Sequence, residues 1–335
     1  MNNILVIGGG SWGTSFANYL AIQGNNVKLW IREKEVIESI NKHKVNSLFL
    51  PEIILSSNLK PVSSLIDEVK KSDIIIFAVP SKFIRKSFES LKGHLSGKTI
   101  ISLSKGFESS SLKTISQIAV DVFGKEILEK WITISGPSFA KELAKNFPTA
   151  VVAASGNPAI LNSIQKKFSS STLRIYSSDD LIGTEVAGSM KNIMAIASGI
   201  INGLGLGYNT TASLVTRAVM EISRIGLRLG ANQETFWGLA GIGDLMLTSF
   251  GSLSRNFQLG IKIAKGETLE EIEKKNITIA EGVETTKAIK SLSKKLDIEM
   301  PISTKIYEIL FEDKDPAIAL KDLMKRRLQI EWNLD

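Results

Sequence analysis

The run AGSMKNIMAIASG at residues 187–199 is built from small and apolar residues, except for the pair Lys191-Asn192 at its centre. Such a run suits a helix buried against other helices. Lysine is rarely buried there unless its charge is paired or used. On a helix, Gly188, Lys191, Asn192 and Ala195 fall on one face, at spacings of three and four. Glycine and alanine leave room beside the ammonium, as the wall of a ligand cavity would. The same spacing also suits a lysine whose stem lies along apolar surface while its head reaches solvent.

A second constellation opens the chain. Gly8-x-Gly10-x-x-Gly13, within GGGSWG, directly follows the apolar run ILVIG and directly precedes an amphipathic stretch. Strand, glycine turn and helix in that order let a pyrophosphate approach backbone N–H groups at the helix start. The expectation is therefore a dinucleotide cofactor. The second strand ends in WIREKE, where an NAD-selective fold usually carries a carboxylate for the ribose hydroxyl. Arg32 and Lys34 favour a 2′-phosphate and hence NADP, whereas Glu33 keeps NAD open.

A carbonyl-reducing enzyme also needs a proton donor, and the composition narrows the choice. The two histidines, His43 and His94, both lie in polar stretches and read as exposed. None of Tyr19, Tyr176, Tyr208 and Tyr307 has a lysine four positions later, so a Tyr-x-x-x-Lys acid is excluded. With no cysteine, there is no disulfide, thiolate metal site or cysteine nucleophile. A lysine on a helix remains the candidate, and no metal site is expected.

Positioning these residues requires two cores, since 335 residues is long for one. Strands are predicted at 4–8, 26–31, 74–79, 99–104, 132–135, 149–154 and 173–177, with helices at 12–23, 34–42, 81–92, 111–123, 138–145 and 158–169 between them. That alternation predicts an α/β Rossmann-like, doubly wound parallel sheet over residues 1–178. Helical periodicity alone follows, predicting an all-α domain over 179–335. Asn157-Pro158, Thr268 with Glu271, and Asp315-Pro316 read as helix starts.

The net charge of +7 is scattered, and its densest cluster, Lys325-Arg326-Arg327, reads as a solvated helix face with no nucleic-acid motif beside it. The mild basic excess overall also suits small anionic ligands such as phosphates. No apolar run reaches the ~18 residues of a membrane span. ILVI at 4–7 is too short for a signal peptide. A cytoplasmic protein with a small-molecule substrate is the expectation, and a homodimer is left open.

Taken in order, GGGSWG, NSLFLP at 46–51, AVPS at 78–81, LSKG at 103–106, SGPSFAKEL at 135–143, GSMKN at 188–192, GLAGIGDL at 238–245, SRN at 254–256 and AEGVETT at 280–286 resemble one family. It is the NAD(P)-dependent sn-glycerol-3-phosphate dehydrogenases of the bacterial type, and the likeness runs from residue 4 to about 327. The resemblance implies interconversion of dihydroxyacetone phosphate and sn-glycerol 3-phosphate, with reduction supplying the backbone of glycerophospholipids. It implies Lys191 as catalytic acid/base, and Lys105, Gly136, Ser138, Asn192, Asp244, Ser254, Arg255 and Asn256 around the substrate. Beside the glycines, Ser11, Trp12, Arg32, Lys105, Ala140, Arg255, Ile279 and Glu281 would touch the cofactor. A related β-hydroxyacid-type dehydrogenase with a catalytic lysine is the alternative.

The residue chemistry agrees with these roles. SLSRNFQL puts Ser254 at a helix start with Arg255 and Asn256 in the first turn, where free N–H groups, the positive dipole end and a guanidinium favour phosphate. Lysine is a poor acid near neutrality unless its pKa is lowered. Burial and Lys105 would lower it, while Asp244 and a bound phosphate would oppose that, and the sequence leaves the balance open.

Overall fold

The computed structural model describes residues 2–275, 280–328 and 330–331. The chain divides into two compact units, one of Met1–Ser104 and Ile115–Leu181, the other of Lys105–Thr114 and Ile182–Asp335.

In the first unit the strands are β1 (Asn3–Ile7), β2 (Asn26–Trp30), β3 (Val45–Asn46), β4 (Leu50–Ile54), β5 (Leu59–Val62), β6 (Ile74–Phe77), β7 (Thr99–Ser102), β8 (Trp131–Ser135), β9 (Thr149–Ala154) and β10 (Leu173–Ser178). Its helices are α1 (Ser11–Ile22), α2 (Lys34–His43), α3 (Leu65–Lys71), α4 (Ser81–Glu89), α5 (Ile115–Phe123), α6 (Ala140–Ala144) and α7 (Pro158–Phe168). Eight strands form one sheet in the order β10-β9-β8-β7-β6-β1-β2-β5, and β3 with β4 makes a separate antiparallel pair.

The central strands show why the sheet is covered on both faces. Ile4 and Val6 of β1, with Ile74 and Ile76 of β6, join the core that contains Phe16 and Leu20 of α1. Leu5, Ile7, Ile75 and Phe77 turn the other way, into the core that holds Ile84 and Phe88 of α4 and Ile118 of α5. Alternation of period two thus feeds two apolar layers, as a doubly wound fold requires.

Four features differ from expectation. β9 runs antiparallel to β8, so β9 and β10, parallel to each other, run against the rest of an otherwise parallel sheet. β3, β4, β5 and α3 occupy residues 45–71, a stretch for which no element was predicted. β5 reads LKPV and pairs with β2 alone at the sheet edge, the place where a strand tolerates proline. The helix predicted from residue 111 starts at Ile115, because Leu112 lies at φ 60°, in the left-handed region that a right-handed helix cannot include. Residues 105–114 belong instead to the second unit, an excursion that a single boundary near 178 does not contain.

The second unit is helical: α8 (Leu181–Gly203), α9 (Tyr208–Arg228), α10 (Glu234–Trp237), a π-helical turn at Leu239–Gly243, α11 (Asp244–Phe250), α12 (Arg255–Ala264), α13 (Leu269–Lys275), α14 (Glu281–Leu296), α15 (Pro301–Phe311) and α16 (Pro316–Met324). α8 is buried on every side from Gly183 to Ile201, which makes it the central helix of this unit. The predicted helix starts carry their caps. Asn157 Oδ1 accepts from Ala159 N, Asp315 Oδ1 accepts from Ile318 N, and Thr268 and Glu271 exchange reciprocal bonds. No helix among the described residues is long and apolar enough to cross a membrane.

Candidate functional site

The glycine loop leaves β1 and enters α1. Gly8 sits at φ 121°, and a Cβ there would lie 2.4 Å from Ala78 O; a Cβ on Gly13 would lie 2.1 Å from Gly8 O. Both positions therefore exclude side chains, one for the turn and one for close packing of helix on strand. A Cβ on Gly10 would meet nothing within 4 Å, so the loop presents bare backbone on its outer side at the start of α1. No side chain caps that helix, and its first turn carries no acidic residue. Backbone donors at an uncapped helix start, fronted by a glycine, fit the pyrophosphate of a dinucleotide.

The loop is held from behind by Asn46, which is fully buried. Asn46 Nδ2 donates to Gly9 O and to Thr14 Oγ1, both at 2.8 Å, while its Oδ1 accepts from Phe49 N. Ser11 Oγ donates to Phe49 O at 2.7 Å, so its hydroxyl proton already has a partner. Beyond β2, Arg32 is exposed and its guanidinium lies on the carboxylate of its neighbour Glu33, at 2.8 Å. Gly136 and Ser138 follow β8, with Ser138 Oγ donating to Gly136 O at 2.9 Å, and Ala140 begins α6.

In the second unit, Lys191 projects from the middle of α8 and is 8% exposed; Asp244, at the start of α11, is 1% exposed. Lys191 Nζ donates to Asp244 Oδ1 and, at 2.9 Å, to Thr248 Oγ1. The other carboxylate oxygen, Oδ2, accepts from Lys105 Nζ at 2.7 Å. Thr248 in turn donates to Asp244 O at 2.7 Å. One carboxylate thus serves two ammonium groups, an arrangement with a net positive charge.

Burial pulls Lys191 down from the ordinary 10.5 to about 8. Asp244 and Glu281 oppose that shift, and Lys105 adds to it. Burial also pushes Asp244 upward, but Lys105 and Lys191 outweigh it and hold the carboxyl below its usual range. Burial raises Glu281, at the start of α14, against the pull of Arg255, Lys105 and Lys191.

Beside this cluster a chain of amides runs between three helices. Asn256 Nδ2 donates to Asn192 Oδ1 at 3.0 Å, and Gly282 N donates to Asn256 Oδ1 at 3.0 Å. These bonds fix both amide orientations. Asn192 Nδ2 is left as a buried donor with no hydrogen-bond partner among the described residues. Ser254 caps α12, its Oγ accepting from Phe257 N at 3.2 Å. Arg255 and Asn256 occupy the first turn, where N–H groups have no partner within the helix, and the Arg255 side chain is exposed.

α8 and α12 cross with backbone against backbone. A Cβ on Gly199 would lie 2.0 Å from Phe257 O, and one on Gly260 would lie 2.1 Å from Ile196 O. That contact brings the helix carrying Lys191 and Asn192 to the helix carrying Arg255 and Asn256.

Comparison with known proteins decides what this arrangement belongs to. The family description "NAD-dependent glycerol-3-phosphate dehydrogenase N-terminus" matches residues 3–161, and its C-terminus counterpart matches residues 180–321. The glycerol-3-phosphate dehydrogenase [NAD(P)+] of Geobacter sulfurreducens is 42% identical over 327 residues, covering 97% of this chain and 98% of the relative. The chain belongs to the NAD-dependent glycerol-3-phosphate dehydrogenase family. Its relative of the same name from Maridesulfovibrio salexigens is 43% identical, over 98% of this chain and 99% of that one. A glycerol-3-phosphate dehydrogenase crystal structure from Coxiella burnetii superposes with a TM-score of 0.92 at 34% identity, covering 97% and 99% of the two chains.

Against this family background the predicted residues fall into two sets. Gly8, Gly10, Ser11, Trp12, Gly13, Arg32, Gly136, Ser138 and Ala140 lie in the first unit. Lys105, Lys191, Asn192, Asp244, Ser254, Arg255, Asn256 and Glu281 lie in the second. Ile279 lies outside the described residues. Within the second unit, Lys105, Lys191 and Asp244 are in direct contact, as are Asn192 and Asn256. Of the histidines, His43 is exposed but His94 is half-buried. No group of three or more metal-ligating carboxylate or histidine side chains gathers among the described residues. Asn46 escaped the residue-level reading, although it opens the motif NSLFLP; an asparagine in a polar stretch gives no sign that it will be buried under a loop 37 positions away.

Proposed function

We propose that the chain catalyses the reversible, NAD(P)H-dependent reduction of dihydroxyacetone phosphate to sn-glycerol 3-phosphate, supplying the backbone of glycerophospholipids. Lys191 carries the reading: a buried ammonium, hydrogen-bonded to Asp244 and Thr248, with a pKa drawn down to about 8. That value suits a group that must give a proton in one direction and take it back in the other.

The cofactor, when bound, supplies hydride to the carbonyl carbon. Gly8, Gly10, Ser11, Trp12 and Gly13 hold its pyrophosphate through the uncapped start of α1, and Arg32 reaches the adenosine end. Lys105, Ala140, Arg255 and Glu281 are the remaining candidate cofactor contacts.

The chain's own groups do the rest. As the carbonyl oxygen gains negative charge, the Lys191 ammonium stabilises it and then transfers a proton, leaving a neutral amine and an alcohol. Asp244 and Thr248 hold Nζ in place meanwhile, so no side chain has to reorganise as charge develops. Lys105, bonded to the other oxygen of Asp244, keeps the site positive. The substrate phosphate takes the first turn of α12, where Ser254, Arg255 and Asn256 offer a hydroxyl, a guanidinium and backbone N–H groups. Asn192 Nδ2, the unpartnered donor, bonds a substrate oxygen, and Gly136 and Ser138 add main-chain and hydroxyl contacts.

The decisive assay follows oxidation of NADPH, and separately NADH, on addition of dihydroxyacetone phosphate. Turnover with a carboxylate substrate in place of the phosphate ester would overturn the assignment. Lys191→Met keeps length and apolar packing but removes the proton. It should lower turnover by about 10² to 10⁴ while reduced cofactor still binds. Near wild-type turnover in that variant would remove Lys191 from the chemistry.

A further inference from the structure

We infer that Ser189 is a positioning residue: its hydroxyl anchors the chain beside Lys105 and thereby holds the Lys105 ammonium on Asp244, opposite Lys191. The inference rests on the reading of Lys191 as the acid/base, and it concerns how that group's environment is built.

Ser189 lies on α8, two positions before Lys191, and is 1% exposed. Its Oγ donates to Glu185 O at 2.6 Å and accepts from Gly106 N at 2.8 Å. The proton of the hydroxyl is therefore committed to the helix, and a lone pair faces the incoming amide. Gly106 directly follows Lys105 and sits at φ 134°, a conformation that residues with side chains rarely adopt. An amide tied down at that point fixes the direction in which the backbone carries Lys105.

Other holds on the excursion lie further along it. Phe107 is buried in the same core as Val186 and Met190. Ser109 Oγ donates to Glu284 Oε2 at 3.0 Å. On the preceding side of Lys105, Ser104 Oγ accepts from Val79 N at 3.1 Å; Ser189 secures the residue that follows the lysine. Lys105 has a long, flexible side chain, and an ammonium stays on a particular carboxylate oxygen only if its Cα is held.

The consequence falls on Lys191. The groups that face it are Asp244 and Thr248 of α11, Lys105 of the excursion and Glu281 of α14, itself opposed by Arg255. Asp244 and Glu281 favour the charged ammonium; Lys105 disfavours it. Releasing Lys105 removes that like charge and leaves Asp244 to Lys191 alone, so Lys191 becomes a weaker acid.

Ser189→Ala tests this in the full-length protein by two measurements that need no substrate. The Gly106 amide should exchange with solvent roughly tenfold faster, as expected for one lost buried hydrogen bond. The titration midpoint of Lys191, followed by NMR of nitrogen-labelled lysine, should move to higher pH. In a Lys105→Met background, adding Ser189→Ala should leave the midpoint where Lys105→Met put it. Ser189→Cys, which keeps the size but offers a poor acceptor, should repeat the result should the alanine variant fold badly. A faster Gly106 amide with an unmoved Lys191 midpoint would make Ser189 merely structural and overturn the inference. So would an equal midpoint shift with and without Lys105. Failure of the wild-type protein to reduce dihydroxyacetone phosphate would instead overturn the proposed function, and these titrations would still judge the anchor.

Discussion

Lys191 and Asp244 stand 53 residues apart in the sequence and meet as a buried ion pair. The pair does not restore Lys191 to the ordinary lysine range, because burial acts on it more strongly than the carboxylate does. Reduction needs the ammonium, so its rate should fall as pH rises through about 8; oxidation of sn-glycerol 3-phosphate needs the amine and should rise through the same value. Asp244→Asn removes the main group favouring the charged form and leaves Lys105 in place. Both limbs should then move to lower pH. A limb that stays put or moves upward, in pH–rate profiles of the free enzyme, would remove Asp244 from control of the acid.

The same shift has a sign for stability. Lys191 is lowered in the folded state, so folding disfavours its proton, and that penalty is fully present below about 8. It should fade as pH rises toward the ordinary lysine value, so this residue makes the protein more stable on the alkaline side. Asp244, lowered in the folded state, contributes stability above its ordinary carboxylate range that is lost as pH falls through its folded value. Lys191→Met should flatten the alkaline part of the denaturation profile. An unchanged slope between pH about 8 and 10.5 would show that Lys191 does not titrate there on unfolding.

Arg255 should bind the substrate phosphate. A hydrogen bond to a charged group typically contributes about 1.5 to 3 kcal/mol. Arg255→Ala should therefore lower kcat/KM for dihydroxyacetone phosphate roughly tenfold or more. Arg255→Lys should recover only part of this, since an ammonium lacks the planar fork. Steady-state kinetics near wild type in the alanine variant would place the phosphate elsewhere.

Arg32 is exposed and pairs with Glu33, and surface pairs of this kind are worth about 1 kcal/mol or less. The guanidinium can therefore leave its neighbour for a 2′-phosphate at little cost. Arg32→Ala should raise KM for NADPH and barely alter that for NADH. Equal changes for both cofactors would make Arg32 a contact to ribose or adenine.

Gly260→Ala should disrupt the crossing of α8 and α12, since the new methyl would meet backbone atoms of Ile196 and Ile200 that cannot yield cheaply. Overpacking of this kind costs about 1 to 3 kcal/mol or more, equivalent to a fall in Tm of several degrees. Substrate efficiency should fall with it, because Asn192 and Asn256 would part. Gly207→Ala, where a Cβ meets nothing within 4 Å, should leave both nearly unchanged. Equal effects at the two positions would show that the close crossing is not what matters.

Where a feature is local, residue types along the chain were enough to read it. β1, the glycine turn and α1 follow one another within a few residues, and their geometry is set by alternating apolar residues and by positions that cannot hold a Cβ. The caps at Asn157, Ser254 and Asp315 are of the same kind, a side chain reaching an N–H two or three residues on. The small, apolar run likewise marked the helix around Lys191 as buried, though it left open whether the ammonium itself reached solvent. The partners of that lysine were legible only through the family resemblance, which set Asp244 and Lys105 beside it. That one carboxylate would hold Lys191 with one oxygen and Lys105 with the other had no mark in the sequence, since neither contact is local. The direction of the Lys191 shift was open for the same reason: it is a difference between burial and opposed charges whose sizes depend on distances made only by tertiary packing. The excursion of residues 105–114, the reversal of β9 and the place of Asn46 beneath the glycine loop belong with it, because each depends on which distant surface a segment finds. Pattern selects the face that a segment buries; the tertiary structure selects what it is buried against.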